Sequence, residues 1–157
     1  MRNNNNMPHR LVFSDDLPST YYGIPEKVLS IDKSIRFCAI VNKLGYIVDQ
    51  RYRKGIKPLM SNEDNSRYAL LTSIRRRANF PWKEKLGDTY YFARRTENLI
   101  QISIPFSNDF LMLVYFNAKI NNYDEIIMRK IMPMILPLAS QKNNNNNNIK
   151  RTKQTRH

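Results

Sequence analysis

The feature that most constrains the fold of this chain is an uninterrupted apolar run, Phe110–Phe116. It follows a second apolar stretch, Leu99–Phe106, across the short turn Ser107–Asp109. A strand covered on one face alternates apolar and polar residues, whereas a strand covered on both faces is apolar along its whole length. Residues 110–116 are therefore predicted to form a central strand, with helices packed on its sheet.

Periodicity and turn residues predict the remaining elements of one domain, which fits the length of 157 residues. In chain order they are a helix at 26–34, strands at 35–42 and 46–53, a helix at 62–80, strands at 89–95, 99–106 and 110–117, and a helix that begins at 122. The short turns between the last three strands predict an antiparallel meander. In the final helix, Pro133 and Pro137 are expected to kink the helix or end it early.

The second helix has a favourable N-cap residue, Ser61, and acidic residues follow in its first turn. Leu70, Leu71, Ile74 and Ala78 form its predicted apolar stripe, and a stripe of this kind normally faces the core of a domain.

Two asparagine runs, Asn3–Asn6 and Asn143–Asn148, bracket this region. Such tracts bury no apolar surface that could offset the entropy lost on ordering them. We therefore expect residues 1–25 and 141–157 to be mostly disordered and residues 26–140 to form a single α/β domain. Both Met1 and Met7 remain open as the true start of the chain.

The chain is strongly basic, with 26 Lys and Arg residues against 13 Asp and Glu residues, which gives a formal charge of +13. A field of this size favours anionic partners, namely nucleic acid, acidic proteins or anionic lipid. The single cysteine, Cys38, excludes an intramolecular disulfide and fits a reducing compartment. No apolar run is long enough to span a membrane and no signal-peptide core is visible, so a cytoplasmic location is expected.

Reactive side chains are scarce in the predicted domain. His9 and His157 lie in the tails, Cys38 stands alone in a predicted strand, and the four glycines match no phosphate-binding loop. The paired carboxylates at the helix starts are already explained by capping. The sequence therefore predicts no catalytic residue, no metal site and no cofactor.

Basic residues form the other candidate sites. Arginines 75–77 are spread around the second helix because successive residues are about 100° apart, so a solvated face is the favoured explanation and an anion-binding or partner-binding surface is the alternative. Tyr90–Phe92 adjoin Arg94 and Arg95, an arrangement that can stack nucleic-acid bases, although core packing beside an edge strand is the favoured explanation. The candidate anion contacts are Arg75, Arg76, Lys150, Arg151, Lys153 and Arg156.

The hairpin FCAIVNKLGYIVDQ joins a hydrophobic strand, a turn containing glycine and a second strand. Together with the element order α-β-β-α-β-β-β-α, it resembles the roadblock/LC7 domain over roughly residues 26–138. More broadly, the order resembles profilin-like and longin-like sandwiches and small uncharacterised archaeal proteins. The resemblance implies an α+β fold with a five-stranded antiparallel sheet in the order 2-1-5-4-3 and helices on its faces.

The same resemblance implies a non-enzymatic adaptor or regulatory domain that forms homodimers and docks small GTPases. Members dimerise through the helix after strand 2 and the strand that follows it, here 62–80 and 89–95. The candidate partner or dimer surface is drawn from these two elements and consists of Arg67, Leu70, Ile74, Arg77, Tyr91 and Arg95. Two departures from the family pattern are the arginine-rich second helix and the basic tail.

Two alternatives remain open from the sequence. One is a nucleic-acid-binding protein in which the tail 150–157 and the arginines of 67–77 contact phosphates. The other is a sensor that binds a small ligand between the sheet and the helices.

Overall fold

The computed structural model describes residues 17–78 and 80–140, and of Phe80 only the backbone. The tail cations Lys150, Arg151, Lys153 and Arg156 lie outside the described residues, as do both asparagine runs. Residues 17–25, which the sequence pattern places in the N-terminal segment, contribute to the core through the buried side chains of Leu17 and Tyr21.

Five strands form one antiparallel sheet. They are β1 (Ile35–Asn42), β2 (Ile47–Tyr52), β3 (Phe92–Arg95), β4 (Leu99–Pro105) and β5 (Phe110–Asn117). Their order across the sheet is β2-β1-β5-β4-β3, so the predicted order 2-1-5-4-3 and the α+β class are confirmed. The predicted central strand is β5, which pairs with β1 on one side and β4 on the other.

In the described part of the chain, three α-helices precede the last one: α1 (Ile24–Ile31), α2 (Asn62–Ala78) and the short α3 (Lys83–Leu86). The last helix, α4, begins with Tyr123–Ile126, passes through a π-helical turn at Ile127–Ile131 and is α-helical again over 132–140. The sequence predicted that Pro133 and Pro137 would kink this helix or end it early. The helix does not end early, because it continues through both prolines. The wider π-turn lies directly before Pro133, where the proline ring would otherwise clash with the preceding turn. Among the described residues, no helix combines the length and apolar character needed to cross a membrane.

One face of the sheet is covered by α1 and α4 and is almost entirely apolar. Residues Ile40, Ile102, Met112 and Val114 of the strands belong to the same buried cluster as Ile131 of α4. The opposite face carries Phe37, Leu113 and Tyr115 beneath α2. Because β5 contributes alternate residues to both faces, it is buried on both sides, which is why its sequence is continuously apolar.

Helix α2 is rotated relative to the prediction. Its side chains Leu70, Leu71 and Ile74 are 46%, 57% and 49% exposed, so the predicted apolar stripe does not face the core. The residues that α2 buries against the sheet are Asn65, Tyr68, Ala69, Thr72 and Ser73. The reason lies in the sheet surface beneath the helix, because that surface presents tyrosine and amide groups that need polar partners.

Candidate interaction surface

The outward face of α2 is a narrow ridge with an apolar centre and charged ends. We call it the α2 outer stripe and define it by Glu63, Arg67, Leu70, Ile74 and Arg77, all of which are exposed. Their alternating spacing of four and three residues places them along one line of a helix, as in the seam of a coiled coil. Apolar side chains on an exposed ridge of this kind are typical of a surface that another protein covers.

The two ends of α2 carry opposite charge. Ser61 caps the start of the helix, because the Asp64 N–H donates to the Ser61 Oγ at 3.0 Å and the Ser61 N–H donates to Asp64 Oδ2 at 3.2 Å. The hydrogen bonds from Ser61 hold the pKa of the Asp64 carboxyl below its usual value. Glu63 pairs with Arg67 at 2.6 Å, and the last turn contains arginines 75–77. Acids at the start and cations at the end both suit the helix dipole.

The three successive arginines have different surroundings. The guanidinium of Arg75 lies 5.9 Å from the centre of the Phe92 ring on β3. Arg76 donates to the carbonyls of Phe110, at 3.0 Å, and Ser107, which ties the end of α2 to the β4–β5 turn, and burial lowers its pKa. Arg77 is exposed. The two predicted anion contacts on this helix therefore contact the protein itself, which leaves nucleic-acid binding without support from the described residues.

The six residues of the predicted partner surface do not form one patch. Arg67, Leu70, Ile74 and Arg77 lie together on the α2 outer stripe. Tyr91 donates to the Asp124 carboxylate of α4, and the Arg95 guanidinium donates to the Ala118 carbonyl at 2.8 Å. The side chains of Tyr91 and Arg95 thus turn toward the opposite face of the sheet, where α4 packs.

Beneath α2 lies a buried polar cluster that the sequence pattern does not predict. The Tyr115 hydroxyl donates to the Asn65 Oδ1 at 3.0 Å, and the Asn65 amide nitrogen donates to the Tyr52 hydroxyl. Asn65, in the first turn of α2, is fully buried, although asparagine is mostly exposed in folded proteins. This cluster fixes which face of α2 contacts the sheet, and it thereby determines which residues form the outer stripe.

Stability above pH 10 should report on this cluster. Burial raises the pKa of Tyr115, Tyr68 and Tyr52, whereas an unfolded tyrosine titrates near pH 10. Because the folded state favours the protonated hydroxyls, their burial contributes to the free energy of unfolding. This contribution is fully present below about pH 10 and is lost as the pH rises further. Urea unfolding would measure the stability at about pH 8 and at about pH 11. The loss of stability between these two pH values should be smaller in Tyr115→Phe than in the wild type. An equal loss in the variant would contradict this assignment.

The described residues offer little reactive chemistry. Among residues 17–78 and 80–140, His, Cys, Asp and Glu side chains form no group of three or more that could hold a metal ion. A groove of about 440 Å³ runs between Trp82–Tyr90, the β4–β5 turn and α4, and is lined by apolar side chains such as Leu86 and Leu136 together with polar ones such as Asp88 and Asn108. Cys38 is fully buried, and this burial raises the pKa of its thiol well above the usual value. A buried, protonated thiol is a poor nucleophile.

Comparisons with known proteins establish the fold. No protein-family model and no curated protein matched the sequence. The structure of the gliding protein MglB from Thermus thermophilus is similar with a TM-score of 0.61 and 11% identity, over 80% of this chain and 94% of that chain.

Two further structures agree with it. MglC from Myxococcus xanthus has a TM-score of 0.51 and 19% identity, over 78% of this chain and 98% of that chain. A roadblock/LC7 domain from Streptomyces avermitilis has a TM-score of 0.51 and 7% identity, over 72% of this chain and 95% of that chain. The chain therefore has a roadblock/LC7-like fold, as the sequence resemblance predicted. The similarity to small archaeal proteins stays a prediction.

Proposed function

We propose that this chain is a non-catalytic protein-interaction domain with an adaptor or regulatory role, and that it self-associates through the α2 outer stripe. The observation that carries the proposal is the half-exposed pair Leu70 and Ile74 at the centre of the stripe. One similar structure, of MglB, has a tetrameric arrangement, which supports assembly as a property of this fold. A small GTPase as a further partner and a cytoplasmic location remain predictions from the family resemblance.

The charges of the outer stripe favour a second copy in antiparallel orientation. In a symmetric pair the same surface is used by both copies, so each residue lies opposite its mirror position about the two-fold axis. Glu63 and Arg77 are equally far in sequence from Leu70. With the axis beside Leu70, Glu63 of one copy therefore lies opposite Arg77 of the other, twice.

The remaining contacts across such a pair are also compatible. Leu70 meets its own counterpart. Arg67 comes close to Ile74, the stripe residue next to its mirror position at residue 73, and there the aliphatic part of the arginine can pack while the guanidinium stays in water. The two helix dipoles run in opposite directions, so that each acidic start lies beside a basic end. A parallel arrangement would instead place like charges together at both ends.

Charge reversal tests this arrangement directly. We expect Glu63→Arg alone and Arg77→Glu alone each to weaken self-association by about tenfold or more, because each places like charges opposite one another. The double variant should recover most of the affinity, since it exchanges the partners of the same ion pairs. The dissociation constant would be measured by sedimentation velocity on the full chain.

A matched pair on another helix serves as the control. Glu125 and Arg129 on α4 are an exposed acid and an exposed arginine, as Glu63 and Arg77 are, but they pair with each other within α4 at 3.5 Å and lie outside the α2 outer stripe. Their reversal should leave self-association within about twofold of the wild type. Two results would rule out the proposed stripe. One is a monomeric wild-type chain at about 100 μM, and the other is an equal loss of self-association affinity in the α2 and α4 variants. Ile74→Asp should abolish association altogether, and thermal unfolding would verify that each variant is folded.

A further inference from the structure

We propose that the loop between β2 and α2 binds the surface of an anionic lipid membrane, with its lysines at the headgroups and a leucine inserted among them. We call residues 53–60 the basic loop. This site differs from the α2 outer stripe, and the proposal goes beyond self-association. The contact is peripheral, because the side chains of one short loop reach only the headgroup region and the boundary of the acyl chains.

The first support is the charge of this part of the chain. The sequence between Asp49 and Glu63 contains no acidic residue. It contains four basic residues, namely Arg51, Arg53, Lys54 and Lys57. Arg51 is paired with two carboxylates, whereas Lys54 and Lys57 are exposed and form no ion pair with any described residue. Basic side chains of this kind are attracted to the negative surface potential of anionic lipids.

The second support is that hydrogen bonds hold the backbone of the basic loop. The Ile56 N–H donates to the Arg53 carbonyl at 3.3 Å and closes a turn in which Gly55 has a φ angle of +81°. The Arg36 guanidinium donates to the Lys57 carbonyl at 3.2 Å and fixes the next part of the loop to β1. A loop that is already ordered loses less conformational entropy on binding than a free segment does.

The third support is an exposed apolar side chain beside these lysines. Leu59 is 57% exposed, and the neighbouring Pro58 is exposed as well. At a lipid surface the leucine can enter the boundary of the acyl chains while lysine side chains extend back to the phosphates. Nucleic acid or a purely acidic peptide would satisfy the lysines but would leave Leu59 in water, so a lipid surface fits both features of the loop.

Further cations lie at the same end of the sheet. Arg36, which holds the basic loop, also donates to the Asn117 Oδ1 at 3.0 Å, so the start of β1 and the end of β5 lie beside the loop. Lys33 precedes β1, Lys119 follows β5, and both are exposed. Asp32, an acid at the same end, accepts two hydrogen bonds from the serine that precedes β1. The two lysines enlarge the positive surface around the loop.

The short helix α3 offers a contrast within the same chain. Leu86 is 83% exposed and follows Lys83 and Lys85. These lysines are balanced by Glu84 and Asp88, and Lys83 pairs with Asp88 at 2.9 Å. Helix α3 therefore matches the basic loop in its two lysines and its leucine but lacks the excess positive charge, which makes it a control for the experiment.

Vesicle co-sedimentation of the full chain tests the proposal. The probes are phosphatidylcholine vesicles with about 30% phosphatidylserine and vesicles of phosphatidylcholine alone, at about 100 mM salt. The chain should bind the anionic vesicles at least about tenfold more tightly than the neutral ones.

Matched double variants identify the part of the chain that binds. Lys54→Glu with Lys57→Glu should weaken binding to the anionic vesicles by about tenfold or more, whereas Lys83→Glu with Lys85→Glu should weaken it by less than about threefold. Both change the net charge equally and leave the tail beyond residue 140 intact. Self-association should be unchanged in the loop variant, because neither lysine belongs to the α2 outer stripe, and thermal unfolding would verify that both variants are folded.

Insertion of the leucine is measured separately by fluorescence. The single tryptophan is Trp82, so Leu59→Trp in a Trp82→Phe background reports on the loop alone. Its emission should shift to shorter wavelength on the anionic vesicles. Three results would overturn the proposal: equal losses in the two double variants, an unshifted emission, or tighter binding of poly-glutamate or a single-stranded oligonucleotide than of the anionic vesicles. The last would assign the loop to an acidic protein or to nucleic acid.

Discussion

Phe37→Ala is expected to lower the free energy of unfolding by about 3–5 kcal/mol, the largest effect that we predict for a single substitution in this chain. Phe37 is fully buried on β1, and its ring centre lies 4.6 Å from that of Tyr52 and 4.6 Å from that of Tyr115. Removing the ring deletes both aromatic contacts and leaves a cavity beneath α2. The total free energy of unfolding of a protein is about 5–15 kcal/mol, so this single substitution would remove a large fraction of it.

Urea unfolding followed by circular dichroism would measure this loss. Phe92→Ala is the control, because Phe92 has the same ring on an edge strand and is only half-buried. The free energy of unfolding should fall much less in Phe92→Ala than in Phe37→Ala. A loss below about 1 kcal/mol for Phe37→Ala would show that the aromatic layer beneath α2 is not packed as described.

Gly45→Ala is expected to destabilise the chain by about 2–4 kcal/mol, for two separate reasons. Gly45 has a φ angle of +89°, a left-handed conformation that costs a side-chain-bearing residue about 1–2 kcal/mol. An added Cβ would also lie 2.9 Å from the Leu70 Cδ1 and 3.1 Å from the Leu70 Cα. The second contact is with backbone, so α2 itself must shift.

The chain offers a matched control for this prediction. Gly55 has a similar φ of +81°, but nothing lies within 4 Å of an added Cβ. Gly55→Ala should therefore show the backbone cost alone, about 1–2 kcal/mol. Because Leu70 belongs to the α2 outer stripe, Gly45→Ala should also weaken self-association, whereas Gly55→Ala should not. Equal effects of the two substitutions on unfolding would contradict the close approach of the hairpin turn to α2.

Much of the fold could be predicted because its strands are strongly patterned. The apolar run of β5 indicated a central strand, and the hairpin from Phe37 to Gln50 with the element order led to the correct sheet order. The course of α4 could not be predicted in this way, since a π-turn before Pro133 is a local adjustment that residue patterns do not reveal. The contribution of Leu17 and Tyr21 to the core was missed for a different reason, because their segment has no periodicity of its own.

The candidate surface was only partly predictable. Four of its residues lie along one line of α2 because helical spacing alone relates them, and their role as a partner surface stays a prediction. Tyr91 and Arg95 could not be assigned a side of the sheet from sequence, since the face to which each strand residue turns depends on register. Asn65 was overlooked because its role depends on two tyrosines that are distant in sequence, Tyr52 and Tyr115.

By itself, the sequence determined that β5 is covered on both faces, because its run Phe110–Phe116 has no charged or amide side chain that would indicate a solvent-facing side. It did not determine which side of α2 faces the sheet, since the leucines and isoleucine of that helix have the spacing of a core stripe. Only the tertiary structure decided this, because the sheet beneath α2 presents the hydroxyls of Tyr52 and Tyr115, and Asn65 on the inner face of the helix is hydrogen-bonded to both. Leu70 and Ile74 are left on the outside, where a second protein surface can cover them.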